Sequence, residues 1–579
     1  MNHKSPETFA IRTVNQYRRR DVMPYIGLRY YLENTAARSD NWAKDVAVDL
    51  VIRRTIPSYL KINHFKDIDE RGRIGHREMF VPGPNEALSE AVLINECAIR
   101  GGPFALSNQV FSYIPARDGD TSGIFKHYMH GLKARHNAIS DACREAPDAI
   151  VQFFDIKRFY PSISIEAASK VWIKSTEEAG LNPRLSELGT KLLFDHGSIN
   201  QYQKGKLLTG PMFSHLIGNL VLRKVDEALS KAPARYFRYV DDVVLIGTKE
   251  QVKLSANLLK SLLCELELEL HDESSHKSLL ISSSDWMKGE LDFTDSGNKV
   301  SWMTLVGDLK RLLIWYPNNA AEMKDAFISE GFRMPLPDYN GAIKEAGFLS
   351  SSSRLIQKAW FCNKIRKITP ASILNQARIL RTQYDSELVE LIDQLSNAKG
   401  FSAKRILPKV RYRIGRLAYL ATPDRLIALS DIVSAMPALY FQSEVTRAIG
   451  SGNIDNVIAL GTNAAQAIAQ PMRMSSQKIK LSRVPKNDAE IQSLSIIAMN
   501  GVSIDVQSSN QINHELFEFA KHGASEKLMR SSDAFIRELA CLHGVSSKPR
   551  HPDIFDSAFD EAEDFALDAI DQTRSSLSL

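Results

Sequence analysis

Phe237-Arg238-Tyr239-Val240-Asp241-Asp242-Val243-Val244-Leu245-Ile246 is the stretch that decides the fold. Apolar, β-forming residues stand on both sides of two adjacent carboxylates. The pattern predicts two strands between Tyr236 and Ile246, folded into a tight hairpin with the acids at its turn. A surface turn would have polar flanks. These flanks are those of buried strands, where a carboxylate is costly to desolvate unless it is paired or metal-bound.

Upstream, Ile150-Val151-Gln152-Phe153-Phe154-Asp155-Ile156 reads as another buried strand, closing on Asp155. Between the two lies Leu208-Thr209-Gly210-Pro211-Met212-Phe213-Ser214-His215-Leu216-Ile217-Gly218-Asn219. Apolar residues at Phe213, Leu216, Ile217, Leu220, Val221, Val225 and Leu229 have helical spacing, and Pro211 stands where a helix could begin. Downstream, residues 252–265 read as a helix and Leu266 to Leu270 as a strand. If the Asp155 strand and the Asp241-Asp242 hairpin are neighbours in one sheet, three carboxylates converge at its edge. Such a cluster suits hard divalent cations. Two of them about 3.5–4 Å apart serve phosphoryl transfer, which needs mainly positioning and charge stabilisation.

These three stretches resemble motifs A, B and C of reverse transcriptases, in that family's order, and Tyr239-Val240-Asp241-Asp242 is similar to its Tyr-x-Asp-Asp box. The resemblance covers roughly residues 60–300. It implies catalytic roles for Asp155, Asp241 and Asp242, with Ile156 counted beside them in the metal-binding set. It implies two Mg²⁺ ions, with Mn²⁺ as an alternative. Tyr160 matches the family's steric gate, with Phe159 beside it, which favours DNA synthesis; a packed core aromatic is the alternative. Arg77, in Arg77-Glu78-Met79-Phe80-Val81-Pro82, would contact the triphosphate, and Lys277 resembles the motif D lysine; ordinary surface residues are the alternatives. Thr209 and Gly210 complete the nucleotide-binding set, Gly210 by letting the backbone approach the nascent base pair. Thr209 stands where the family usually has glutamine. With Gly210-Pro211-x-x-Ser214 it is more similar to the abortive-infection and unknown-group, defence-associated reverse transcriptases of bacteria. The fold implied is α+β, a right-hand polymerase fingers–palm core followed by an all-α C-terminal domain, with a helical-repeat arrangement as an alternative.

Composition is compatible with this. Apolar content of 44% and charged content of 24% are ordinary for a globular chain, and no apolar stretch reaches the length of a membrane span. Met1 to Pro6 lacks an apolar signal region, so a cytoplasmic location is expected. The five cysteines are widely spaced, which argues against a zinc knuckle or disulfide framework and predicts buried free thiols. The expected organisation is a helical extension over 1–60, with loops and short strands over 61–125. The fingers and palm take 61–300, a thumb-like region 301–400 and a helical domain 401–579, with no strand signal beyond about 305 and an acidic tail from Asp553 to Asp571.

The net charge of +5 permits nucleic-acid binding without requiring it. Lys404, Arg405, Lys409, Arg411 and Arg413 form a basic run with Tyr412 in its midst. Contact with RNA phosphates and a solvated helix face are both open for it. The partners implied are dNTPs, an RNA template or non-coding RNA, and the DNA product, with a second copy or a second defence protein also open. The runner-up is a catalytically retired RNA-binding scaffold. Some family members start DNA on a tyrosine hydroxyl, but none of the 17 tyrosines is singled out by its surroundings.

Overall fold

A computed structural model describes residues 13, 16–17, 42–52, 56–116, 123–126, 128–199, 205–272, 277–290, 300–316, 318–334, 336, 368–475, 479–506 and 512–544. The acidic tail, Cys362 and the break at 546–549 lie outside them, as does most of the N-terminal extension. The chain is mixed helix and strand, with a helical C-terminal half, and forms two compact units. The first comprises Met1–Lys61, Glu78–Asp295 and Ala524–Pro549. The second comprises Ile62–Arg77, Ser296–Gly523 and Arg550–Leu579.

Two strands, β1 (Tyr59–Ile68) and β2 (Ile74–Pro82), pair as a ribbon whose base lies in the first unit and whose tip lies in the second. The heart of the first unit is a four-stranded sheet of β3 (Ile150–Asp155), β4 (Arg235–Tyr239), β5 (Asp242–Gly247) and β6 (Leu279–Ser282), in spatial order β4-β5-β3-β6. All its neighbours are antiparallel. Val151, Val244 and Ile246 present one face to Ile139, Ala142 and Cys143 of the Tyr128–Glu145 helix, with Phe153, Ile281 and Trp286 at the margin. The Lys249–Glu265 helix also packs on β5 and β3, and against the Met212–Leu229 helix. Thr248 and Gln251 form a capping box that fixes where the 249–265 helix starts.

Three readings of this region need correction. Residues 61–125 are not all loops and short strands: Pro84–Arg100 is a helix, with most of its side chains buried. Pro84 in its first turn and Gly101 at its C-cap are the start and stop of this helix, not marks of a loop. Leu266 to Leu270 is not a strand. Leu266 ends the preceding helix, only Leu270 bridges to Ile156, and the fourth strand is β6. Nor are the thiols all buried. Cys97 and Cys143 are, while Cys264 and Cys541 are exposed.

In the second unit, the helices Pro370–Asn397 and Gly400–Leu420 pack together, as do Pro423–Ser434 and Tyr440–Ser451. The ribbon tip is held among these C-terminal helices. Thr462 Oγ1 donates to the Asn63 carbonyl (3.2 Å), the Phe65 amide to Asn463 Oδ1 (2.9 Å), and the Phe65 ring packs on Tyr440 and Phe441. This half is not wholly helical. β7 (Ile479–Leu481) and β8 (Ile504–Val506) pair in parallel across the Asp488–Met499 helix. Three-residue strands are too short to leave an alternating pattern in a sequence.

Candidate active site

The hairpin of β4 and β5 turns through Val240 and Asp241, with Tyr239 paired to Asp242. A two-residue turn with its first central residue at positive φ ordinarily takes glycine there. Val240 adopts φ 56°, a strained conformation for a β-branched residue. It is held from both sides: the Ser112 hydroxyl accepts from its amide at 2.8 Å, and Arg238 Nη1 donates to its carbonyl at 2.9 Å. Strain fixed this firmly accompanies functional turns.

Antiparallel pairing sets Asp155 directly opposite Asp242 across β3 and β5. The Asp241 carbonyl accepts from the Ile156 amide at 3.2 Å, so all three acids stand at one end of the sheet. Asp155 is buried, Asp241 half-buried and Asp242 exposed. Burial, with Asp242 and Asp155 nearby, pushes the Asp241 carboxyl up to about 6, and Lys277 opposes the shift. The Lys277 ammonium pairs with Asp155 Oδ2, and His271 Nε2 lies 3.8 Å from the same oxygen. On the other side Arg135 Nη1 lies 3.9 Å from Asp242 Oδ2. Burial lowers the Arg135 guanidinium from its ordinary value, and Asp242 opposes this.

Among the described residues no group of three His, Cys, Asp or Glu side chains closes tightly enough to hold a metal ion. The donor chemistry nonetheless fits a hard divalent cation: three carboxylates gather where their mutual repulsion is evident at Asp241. Lys277 supplies the counter-charge at Asp155.

Phe159 and Tyr160 open a short helix, Phe159–Ser162, directly after β3, and both are buried. The residue before it, Arg158, has φ 46°, which turns the chain sharply off the strand. Thr209 and Gly210 precede the Met212–Leu229 helix. The close approach that Gly210 permits is to β2: at φ 128°, a Cβ there would stand 2.2 Å from the Phe80 carbonyl oxygen. The Phe80 amide donates to the Thr209 carbonyl at 2.8 Å. Pro211 gives that helix no side-chain cap, and Glu90 supplies one from the Pro84–Arg100 helix. Its Oε2 accepts from the Phe213 amide at 3.0 Å, and its Oε1 from the Tyr59 hydroxyl at 3.2 Å.

Arg77 is exposed on β2, in the segment that belongs to the second unit. The basic run lies on the Gly400–Leu420 helix of that unit, where much of its charge is engaged internally. Arg413 pairs with Glu387 at 2.5 Å and lies over the rings of Tyr384 and Tyr412, while Arg411 donates to the Ala438 carbonyl at 2.7 Å. Arg405 lies over Phe401. Lys404 and Lys409 share the helix.

Ser112, Arg135, His271 and Glu90 escape a reading of the motifs because none lies within the three motif stretches. Each is brought in by the tertiary fold. Only the glutamate inside the apolar run Ala87–Ile94 could have drawn attention, as a charge that must find a partner. The sequence matches no protein-family model and no curated protein at significance.

Proposed function

We propose that the chain is a nucleic-acid polymerase of the reverse-transcriptase kind, adding dNTPs to a growing DNA end. The observation that carries this reading is the register that sets Asp155 opposite Asp242, beside a strained Val240-Asp241 turn. Asp155, Asp241 and Asp242 would hold Mg²⁺ or Mn²⁺, with the Ile156 main chain beside them. The bound ions would activate the 3′-hydroxyl and stabilise the leaving pyrophosphate oxygen. Tyr160 would lie beneath the incoming sugar. Its bulk excludes a 2′-hydroxyl, which favours dNTPs. Lys277 would leave Asp155 to give a proton to the departing pyrophosphate, and Arg77 would contact the triphosphate. A cytoplasmic role in antiphage defence, with a non-coding RNA and with a second copy or a second defence protein, completes the proposal.

The test is dNTP incorporation by purified protein with its copurifying RNA and Mg²⁺. Asp241→Ala with Asp242→Ala should lower incorporation at least about a thousandfold while the chain stays folded. Unchanged incorporation in the double variant would remove the site assignment. Sequencing the copurifying nucleic acid would identify the template.

A second reading is a catalytically retired RNA-binding scaffold. What bears on it is the basic Gly400–Leu420 helix, whose Lys404 and Lys409 would contact RNA phosphates with no need of the acids. Phage protection that survives the double substitution would support the scaffold.

A further inference from the structure

The ring of Tyr160 is held from two directions. Its hydroxyl shares a 2.6 Å hydrogen bond with His215 Nδ1, and both residues are buried. The His215 imidazole lies flat on Tyr113, with centroids 3.7 Å apart and planes 7° apart. Phe125 meets the edges of both rings, at 5.4 Å from Tyr113 and 6.4 Å from His215. Tyr113 reaches this stack from a backbone at φ 51°, which few bulky residues adopt. The arrangement is therefore specified from outside the stack.

The second restraint comes from the same helix. Gly218 stands three residues after His215, on the same face of the Met212–Leu229 helix. A Cβ at 218 would come within 3.2 Å of Tyr160 Cε1 and 3.0 Å of Phe159 Cε1, so the rings lie close against the helix backbone. Gly218 sets how near Tyr160 lies to the helix, and His215 sets where its hydroxyl end points.

We propose that His215, braced by Tyr113, is a positioning residue that fixes the Tyr160 ring and so sets the discrimination between dNTPs and rNTPs. The proposal rests on the polymerase reading, with Tyr160 beneath the sugar. A steric filter works only as well as its wall is stiff. A ring free to rotate about its side-chain bonds yields to one extra oxygen, whereas a ring tied at its far end does not. A purely structural histidine would affect both nucleotide classes equally.

The experiment measures kcat and KM for dNTPs and rNTPs with the full chain, Mg²⁺ and a primed RNA template. Tyr160→Ala should lower the ratio of kcat/KM for dNTP over rNTP by about a hundredfold. Tyr160→Phe and His215→Phe should each lower it about tenfold, through a lower KM for rNTPs, and the pair together no further, because each removes the same hydrogen bond. His215→Asn places an oxygen near the position of Nδ1 and should restore most of the ratio. A wild-type ratio in both Phe variants, with Tyr160→Ala still collapsing it, overturns the role of His215 and leaves the polymerase reading intact. An unchanged ratio in Tyr160→Ala, or no incorporation by the wild type, overturns both. If His215→Phe does not fold, Tyr160→Phe decides alone, since it removes one hydroxyl and adds no volume.

Discussion

Two clusters of charge lie within a few residues of each other on one hairpin, and they are treated in opposite ways. Arg238 is about 1% exposed, yet its Nε and Nη2 donate to the two oxygens of Asp226 at 2.7 Å each, and its Nη1 to the Val240 carbonyl. Asn219 Oδ1 and the Tyr236 hydroxyl complete the network. At the tip of the same hairpin, Asp241 faces two other carboxylates, with the charges of Lys277 and Arg135 opposing them. A satisfied buried pair specifies structure and holds the turn in its strained shape. A cluster of like charges costs stability and is retained where chemistry needs carboxylates side by side.

The largest effect should come from breaking the satisfied cluster. Asp226→Ala leaves the Arg238 guanidinium buried without its carboxylate, and should lose about 3–5 kcal/mol in urea unfolding. A loss below about 1 kcal/mol would mean that the two clusters do not differ in kind.

The carboxylate cluster should respond with the opposite sign. The folded-state value for Asp241, about 6, lies above its ordinary 3.8, so folding favours the protonated form. That contribution is complete below 3.8 and is lost as pH rises through about 6. At about 1.4 kcal/mol per pH unit the interval amounts to roughly 3 kcal/mol. In chelator at pH 7, Asp241→Asn should therefore melt higher than the wild type, and the advantage should vanish near pH 4. A lower melting temperature for Asp241→Asn at pH 7 would show that the carboxylate is satisfied after all.

The smallest effect belongs to the second unit, where charge is half-exposed. Arg413→Ala removes the pair with Glu387 and the cover on Tyr384, and should cost about 1 kcal/mol in thermal unfolding. Unchanged stability with weaker RNA binding would instead assign Arg413 to phosphate contact and sharpen the comparison between the units.

Much of the hairpin was legible because its pattern is local. Apolar, β-forming residues around Asp241-Asp242, and the apolar run ending at Asp155, predict strands with their acids at the ends, and the sheet has them there. The Met212–Leu229 helix was legible through its apolar spacing. The Pro84–Arg100 helix was not, because the proline and glycines that bound it read equally as loop breakers. The basic run read as surface charge, but a pattern cannot tell a solvated arginine from one stacked on Tyr384.

By itself, then, the sequence determined the strand ending at Asp155, the hairpin around Asp241-Asp242 and the Met212–Leu229 helix, and with them that three carboxylates stand at strand ends. Periodicity and desolvation cost are properties of neighbours along the chain. The tertiary structure alone decided that Asp155 stands opposite Asp242, and that Lys277 and Arg135 flank the acids. It alone brought Glu90 to cap the helix of Gly218 and tied Tyr160 to His215. Those are contacts between residues distant in sequence. Each depends on strand register and helix packing, which are fixed only when the whole core closes at once.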